Sequence, residues 1–150
     1  MPPRKRRIYV VLDTNVIIGF HLSINRQSAN SRVYCLWRDH RELQLVVSDE
    51  TVAEYFEVLQ RHGVSERRIR HLDKRLRRRE TVTHVGLGAR PTASRDPDDN
   101  VVLAAAVAGK VKFLITNDND LLDLPEGERK KFKFTILSPS EFLARIRSSN

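Results

Sequence analysis

A short apolar run near the start of the chain, Ile8–Leu12, is followed at once by Asp13, Thr14 and Asn15. A run this short and this rich in β-branched residues is typical of a strand buried on both faces, as in a parallel sheet. Such a strand delivers the residue after it to the carboxyl edge of the sheet, where open α/β proteins bind their ligands. The pattern therefore predicts that Asp13 lies in a crevice at this edge.

Similar runs alternate with helical patterns along the rest of the chain. The further predicted strands are residues 45–47, 81–85, 112–116 and 134–137. The predicted helices start at residue 16, run from a cap at Asn30 or Ser31 to about 41, lie between Ser48 and Gly63, and cover 65–80, 101–108 and 139–147. This alternation indicates a parallel α/β sheet. The 150 residues contain no repeat and no linker, so we expect one domain.

Composition narrows the class of protein. The single cysteine, Cys35, excludes an internal disulfide framework and a cysteine zinc site, and its apolar neighbours predict a buried residue. No run is long enough to span a membrane. Residues 4–12 resemble the start of an export signal, but Asp13 and Asn15 cut the apolar run short, so a cytoplasmic location is predicted.

The net charge of +8 favours a polyanionic partner, with nucleic acid as the first candidate. Residues 1–7 form a basic arm that we expect to be mobile. Basic residues also crowd the predicted helix 65–80, where Arg75, Arg78 and Arg79 are candidates for contact with RNA or with a protein partner. A solvated helix face is the alternative interpretation of the same charges.

Acidic residues, by contrast, concentrate at the ends of predicted elements. Asp13 and Asp118 each follow a strand, Asp98 and Asp99 lie at a helix start, and Glu54 lies in a helix that follows another strand. Carboxylates brought together repel one another, and a hard cation such as Mg²⁺ or Mn²⁺ removes that repulsion. A cation held in this way can polarise a phosphoryl oxygen and activate a water. An acidic crevice in a basic protein therefore indicates a nuclease.

Each acid also has a purely structural interpretation. Asp13 could cap the helix after it, Asp96 or Asp98 could cap the alanine-rich helix, and Asp120 could cap a turn. Glu54 could be an ordinary solvated helix residue. Their common location at element ends favours a shared site.

The order of these motifs resembles the PIN-domain family, in its branch of toxin-like ribonucleases from toxin–antitoxin systems. The matching pieces are Leu12-Asp13-Thr14-Asn15, Val47-Ser48 with Glu54, Asp96-Pro97-Asp98-Asp99-Asn100, Thr116-Asn117-Asp118 with Leu121-Leu122, and residues 136–143. The resemblance covers nearly the whole chain. The chain departs from this branch at Asn117, where glycine is frequent, and at Asn100, where some relatives have an acid.

The resemblance implies a three-layer α/β/α fold whose five-stranded parallel sheet has the order 3-2-1-4-5. It implies four catalytic acids, Asp13, Glu54, Asp99 and Asp118, of which the three aspartates hold Mg²⁺ or Mn²⁺. Asn15 and Thr116 would support them, with Asp98 and Asp120 as further supporting residues. Three acids crowd residues 96–99, so Asp98 remains an alternative to Asp99 as the ligand.

The function that follows is a metal-dependent endoribonuclease, the toxin of a toxin–antitoxin pair. By resemblance, its products carry a 5′-phosphate and a 3′-hydroxyl, and its partners are an RNA substrate, an antitoxin protein and a second copy in a homodimer. The alternative is a binding module for nucleic acid or protein that keeps the fold without cleavage.

Two other enzyme classes fit poorly. A phosphatase of the aspartyl-phosphate type needs a second aspartate two residues after the first, and this position is Asn15. A serine or cysteine hydrolase needs a histidine beside a nucleophile. The five histidines occur with no nucleophile motif and are predicted on the surface or in loops: His21, His40, His62, His71 and His84.

Overall fold

The computed structural model describes residues 6–88 and 97–148. Its sheet consists of β1 (Ile8–Leu12), β2 (Leu43–Val47), β3 (Val82–His84), β4 (Phe113–Ile115) and β5 (Thr135–Leu137). All neighbouring strands are parallel, and their order is β3-β2-β1-β4-β5. The predicted sheet and its strand order are therefore confirmed.

Helices cover both faces of this sheet and complete the predicted three layers. They are α1 (Thr14–Leu22), α2 (Ala29–Arg38), α3 (Asp49–Arg61), α4 (Glu66–Leu76), α5 (Pro97–Ala108), α6 (Asn119–Leu122), α7 (Glu126–Arg129) and α8 (Pro139–Ser148). Side chains of α1, α2, α3, α4 and α8 form one core with alternate strand residues such as Val10 and Leu12. Those of α5 and α6 form the second core, which contains Val11. Alternation along β1 thus feeds two cores, as expected for a central parallel strand.

Helix starts follow the expected capping chemistry. The Ser48 hydroxyl accepts from the Thr51 N–H, and the Thr51 hydroxyl in turn accepts from the Ser48 N–H, so the two residues form a capping box. Ser138 and Glu141 form another one at the start of α8. Both helix starts were predicted from sequence.

Other boundaries differ from the predictions. Helix α1 begins at Thr14 rather than at residue 16, because Asp13 itself caps it. Ser28, not Asn30 or Ser31, caps α2. Helix α5 already begins at Pro97, since proline is well suited to the first helical position. The short helices α6 and α7 were not predicted, because four residues are too few for a periodic pattern.

The end of α5 depends on two adjacent residues. A Cβ on Gly109 would lie 2.4 Å from Cγ1 of Val46, so glycine is required where the helix end meets β2. The left-handed residue is the next one, Lys110, with φ of 51°. The Val111 N–H then donates to the Ala106 carbonyl at 3.3 Å, a bond typical of helix ends closed by a left-handed residue.

Two predictions about single residues are wrong. His21 is buried, and its ring packs edge-on against Phe20 and Tyr34 at the end of α1. The apolar pattern of α1 did not indicate that His21 would be buried with its apolar residues. Cys35 is only partly buried. Within residues 6–88 and 97–148, no helix has the length and apolar character needed to cross a membrane.

Candidate metal centre

Strand pairing brings the two strand-end aspartates to one edge of the sheet. Leu12 of β1 pairs with Ile115 of β4, and the Asp13 N–H continues the ladder by donating to the Ile115 carbonyl at 2.9 Å. Asp118 follows β4 by three residues and caps α6. The chain turns there because the Asp118 N–H donates to the Thr116 hydroxyl at 2.9 Å.

The Asp13 carboxylate is buried and held by three neutral donors. Its Oδ1 accepts from the Thr14 N–H at 2.8 Å. Its Oδ2 accepts from the Thr116 hydroxyl at 2.7 Å and from the Asn15 amide at 3.2 Å. Asn15 and Thr116, which were predicted to support the four acids, thus both contact Asp13. Burial raises the pKa of Asp13, the charge of Asp118 adds to this effect, and the three donors oppose it.

Asp99 provides a third carboxylate from the opposite layer. It lies in the first turn of α5 and is 4% exposed. Oxygens of Asp13, Asp99 and Asp118 all lie within 4.8 Å of one another. Three carboxylates at this spacing suit a hard divalent cation, which prefers oxygen ligands and neutralises their mutual repulsion. The donor set therefore fits Mg²⁺ or Mn²⁺.

Glu54 is placed beside this group but is not one of its three members. The Thr14 hydroxyl donates to Oε2 of Glu54 at 3.0 Å, while the backbone of Thr14 holds Asp13. Thr14 therefore connects the first and third helices at the crevice. Thr14 was not among the predicted site residues, although a hydroxyl directly after the strand-end aspartate was a visible signal.

A chain of amides fixes the rim of the crevice. The Asn117 N–H donates to Oδ1 of Asn15 at 3.1 Å, and its side-chain amide donates to Oδ1 of Asn30 at 2.8 Å. Asn30 reaches this position by crossing α1 at Gly19, where a Cβ would lie 2.2 Å from the Asn30 amide nitrogen. Neither Asn117 nor Asn30 was predicted as a rim residue, and Asn117 stood out in the sequence only as a departure from glycine.

Asp120 and Asp98 are the two acids predicted as further supporting residues. The Asp120 N–H donates to Oδ1 of Asp118 at 2.9 Å, whereas the Asp120 carboxylate is not part of the three-carboxylate group. Asp120 is not itself a cap, because Asp118 caps this helix. The Asp98 backbone belongs to α5, but its side chain, like the whole of Asp96, lies outside the described residues.

The three predicted arginine contacts lie elsewhere. Arg75 is half-buried and donates to the Arg38 carbonyl at 3.2 Å. Arg78 and Arg79 follow the end of α4 at Leu76, so their placement on a helix was wrong. They lead through Thr81 into the amino end of β3, whereas the acids lie at the carboxyl ends of the strands. Their contact with RNA stays a prediction, but they do not lie beside the acids.

These features define a doubly covered parallel α/β protein with a three-aspartate crevice at the carboxyl edge of its sheet. The chain belongs to the PIN domain family, whose model matches residues 9–120. No curated protein matches the sequence.

A solved structure supports the fold. It is the structure of VapBC2 from Rickettsia felis bound to a DNA fragment from the VapBC2 promoter. The sequence identity is 14% and the TM-score is 0.56, and the match covers 87% of this chain and 98% of that chain. PAE2754 from Pyrobaculum aerophilum is 19% identical with a TM-score of 0.49, over 94% of this chain and 90% of that one.

Proposed function

We propose that this PIN-domain chain is a metal-dependent endoribonuclease that hydrolyses phosphodiester bonds in RNA. The observation that carries the proposal is the three-aspartate group, in which two carboxylates are buried and all three meet within 4.8 Å. A protein of net charge +8 that gathers its acids in one crevice has a place for a cation and a surface that attracts a polyanion.

The chain's own residues have distinct tasks in this reaction. Asp13, Asp99 and Asp118 would hold Mg²⁺ or Mn²⁺. Such an ion supplies Lewis-acid polarisation of a phosphoryl oxygen and lowers the pKa of water. Thr116 and Asn15 fix the orientation of the Asp13 carboxylate through their hydrogen bonds. Glu54, positioned by Thr14, would orient the attacking water and accept its proton.

We further infer that the chain is the toxin of a toxin–antitoxin pair. This inference rests on the sequence resemblance and on the shared fold with VapBC2. It implies an antitoxin protein as a partner, a cytoplasmic location and a homodimeric form. Co-purification with the product of a small adjacent gene would support it, and unimpaired growth of cells that express the chain alone would contradict it.

The enzymatic proposal is tested by cleavage of a mixed-sequence RNA in Mg²⁺, in Mn²⁺ and in chelator. The wild type should cleave only with a divalent ion, and Asp99→Asn should be inactive. Asp39→Asn is the control, because it removes an exposed carboxylate that lies outside the group. Asp98→Asn decides between the two adjacent acids. RNA binding without cleavage in either metal would instead favour the binding module.

A further inference from the structure

A basic groove runs along the amino edge of the sheet, at the opposite ends of the strands from the three aspartates. Two adjoining cavities of about 580 and 940 Å³ form it, and both are lined by Arg6, Arg7, Ile8, Arg41 and Lys112. We give the name amino-edge groove to the cleft lined by the lysines and arginines at positions 6, 7, 41, 110, 112, 133 and 145. Among the described residues that line these cavities, Glu42 is the single carboxylate.

The groove is separate from the acidic crevice. It surrounds the first residues of β1, β2 and β4, whereas Asp13 follows the last residue of β1. Five strand residues separate the two places, which is about 16 Å at the rise of a parallel strand. The part of a ligand that lies in the groove therefore does not contact the three carboxylates.

Side chains in the groove are held in place from several segments. Arg7 donates from Nε to the Arg41 carbonyl at 3.1 Å and from Nη1 to Oε1 of Gln44 at 3.2 Å. The Lys112 ammonium and the Arg145 guanidinium both lie 5.6 Å from the ring centroid of Phe113. Cations from three different parts of the chain thus converge on one surface, which gives this surface a positive potential that attracts anions.

Backbone conformation supports a binding role. In the described ranges, Arg41 and Lys110 are the two non-glycine residues with positive φ, at 53° and 51°. Glycine adopts this conformation at much lower cost, and Gly63 does so at the end of α3. The chain therefore keeps a cation at both left-handed positions that face the groove, although glycine would serve the fold better.

We propose that the amino-edge groove binds the backbone of single-stranded RNA and holds the part of the substrate that extends beyond the acidic crevice. The proposal rests on the proposed ribonuclease function. Guanidinium groups pair with phosphate oxygens in forked geometry. Tyr9, 44% exposed in the larger cavity, offers a ring on which a base can stack. Cations along an edge beside an exposed aromatic ring suit a strand of nucleic acid better than an acidic peptide.

The test measures binding and cleavage separately. Binding of labelled RNAs of 4 and 20 nucleotides is followed by fluorescence anisotropy in chelator, for the wild type and for Arg41→Gly combined with Lys110→Gly. The double variant should bind the 20-nucleotide RNA about ten times more weakly. Its log–log salt slope should fall by about 1.4, which corresponds to two phosphate contacts on a single strand. Cleavage of the 4-nucleotide RNA in Mg²⁺ should be unchanged.

A matched control removes the same charge elsewhere. Arg67 and Arg70 are exposed on α4 and lie outside the groove, so Arg67→Gln with Arg70→Gln should keep the full affinity for the long RNA. Equal binding by the groove variant and the wild type would overturn the proposal, as would an equal loss in the control. The glycine variant should melt no lower than the wild type, which excludes misfolding as the cause of weak binding.

The kind of polyanion is tested with Tyr9→Ser. This variant should weaken RNA binding several-fold and leave the binding of polyglutamate unchanged. If polyglutamate binds the wild type as tightly as RNA of equal charge, and Tyr9→Ser alters neither, the groove is a site for an acidic protein segment and the proposal fails. Binding is measured in chelator, so it does not depend on cleavage. Absence of cleavage would therefore refute the ribonuclease function, while the binding data would still decide whether the groove holds RNA.

Discussion

The two edges of the same sheet carry opposite charges in different ways. At the carboxyl edge, three carboxylates from three elements lie within 4.8 Å, and neutral groups donate to Asp13. At the amino edge, the cations of the groove are spread over the starts of several strands. The edges are about 16 Å apart, or about two Debye lengths at physiological salt, so exposed cations of the groove compensate the acids weakly. A cation bound between the acids would therefore neutralise them more effectively than the groove does, and the groove remains available for an external anion.

The edges also differ in what they cost the fold. Asp13 and Asp118 occupy helix N-caps, where a carboxylate satisfies the first backbone N–H groups and interacts favourably with the helix dipole. Arg41 and Lys110 occupy left-handed positions, where any side chain adds strain. The acids thus fit the helix starts, and their cost in the metal-free fold is electrostatic, whereas the cost at the basic edge is backbone strain.

The largest expected effect tests whether the edges have separate tasks. Asp118→Asn should lower cleavage of any RNA by at least about 100-fold, since removal of one charge-stabilising group costs about that much in comparable sites. Its binding of a long RNA in chelator should be equal to or tighter than that of the wild type, because a repelling charge is lost. The groove variant should show the opposite pattern. Parallel losses of binding and cleavage in both variants would mean that the edges act as one site.

The next prediction concerns positive charges that belong to neither edge. Arg26, Arg38 and Arg68 surround the buried His21, and burial together with these charges lowers the pKa of His21 to about 4. A lowered histidine pKa stabilises the fold above about pH 6.5, and this stability is lost as the pH falls towards 4. The loss approaches about 3 kcal/mol at 1.36 kcal/mol per unit.

His21→Phe should lack this component, because phenylalanine has no proton to bind and suits the aromatic contacts with Phe20 and Tyr34. Urea unfolding of both proteins at pH 7 and pH 4.5 gives the difference. An equal acid loss in the two proteins would show that the pKa of His21 is not lowered in the folded state.

A smaller effect tests the acidic edge without any RNA. At ten times its dissociation constant, Mg²⁺ should stabilise the wild type by about 1.4 kcal/mol, since it binds only the folded state. Asp13→Asn should respond much less, and in chelator it should melt above the wild type. The raised pKa of Asp13 means that its charged form destabilises the metal-free fold at neutral pH. This penalty fades as the pH falls towards the folded pKa.

Asp39→Asn is the control for this measurement. It removes an exposed carboxylate that is paired with Arg38 and lies far along α2 from the crevice. It should keep the full magnesium response, whatever its own melting temperature. A full magnesium response in Asp13→Asn would show that Asp13 is a structural helix cap and not a metal ligand.

The features that could be predicted from the sequence are those that depend on residues close together in the chain. The strands and the caps at Ser48 and Ser138 depend on residues within a few positions, so local patterns were sufficient. The hydrogen bond from Thr14 to Glu54 joins residues 40 positions apart, and that from Asn117 to Asn30 spans 87, so no local pattern signals either bond.

The positions of Arg78 and Arg79 likewise depend on a contact between residues far apart in the chain. Charged residues favour a helix up to residue 80, but α4 ends at Leu76. The N–H of Leu45 in β2 then donates to the carbonyl of Thr81, the residue before β3, which sets where Arg78 and Arg79 lie. Packing against the sheet, and not helix propensity, decided which edge received them.

The smallest expected effect isolates the strain at the basic edge. Lys110→Gly and Lys110→Ala both remove the same charge from the groove, so their RNA affinities should fall equally. Only glycine relieves the left-handed backbone at φ of 51°, so Lys110→Gly should be more stable than Lys110→Ala by about 1 kcal/mol. For a chain of this size, that is about 2 to 4 °C in melting temperature. Equal stability of the two variants would show that Lys110 sits without backbone strain, and the basic edge would then lack this local penalty at Lys110.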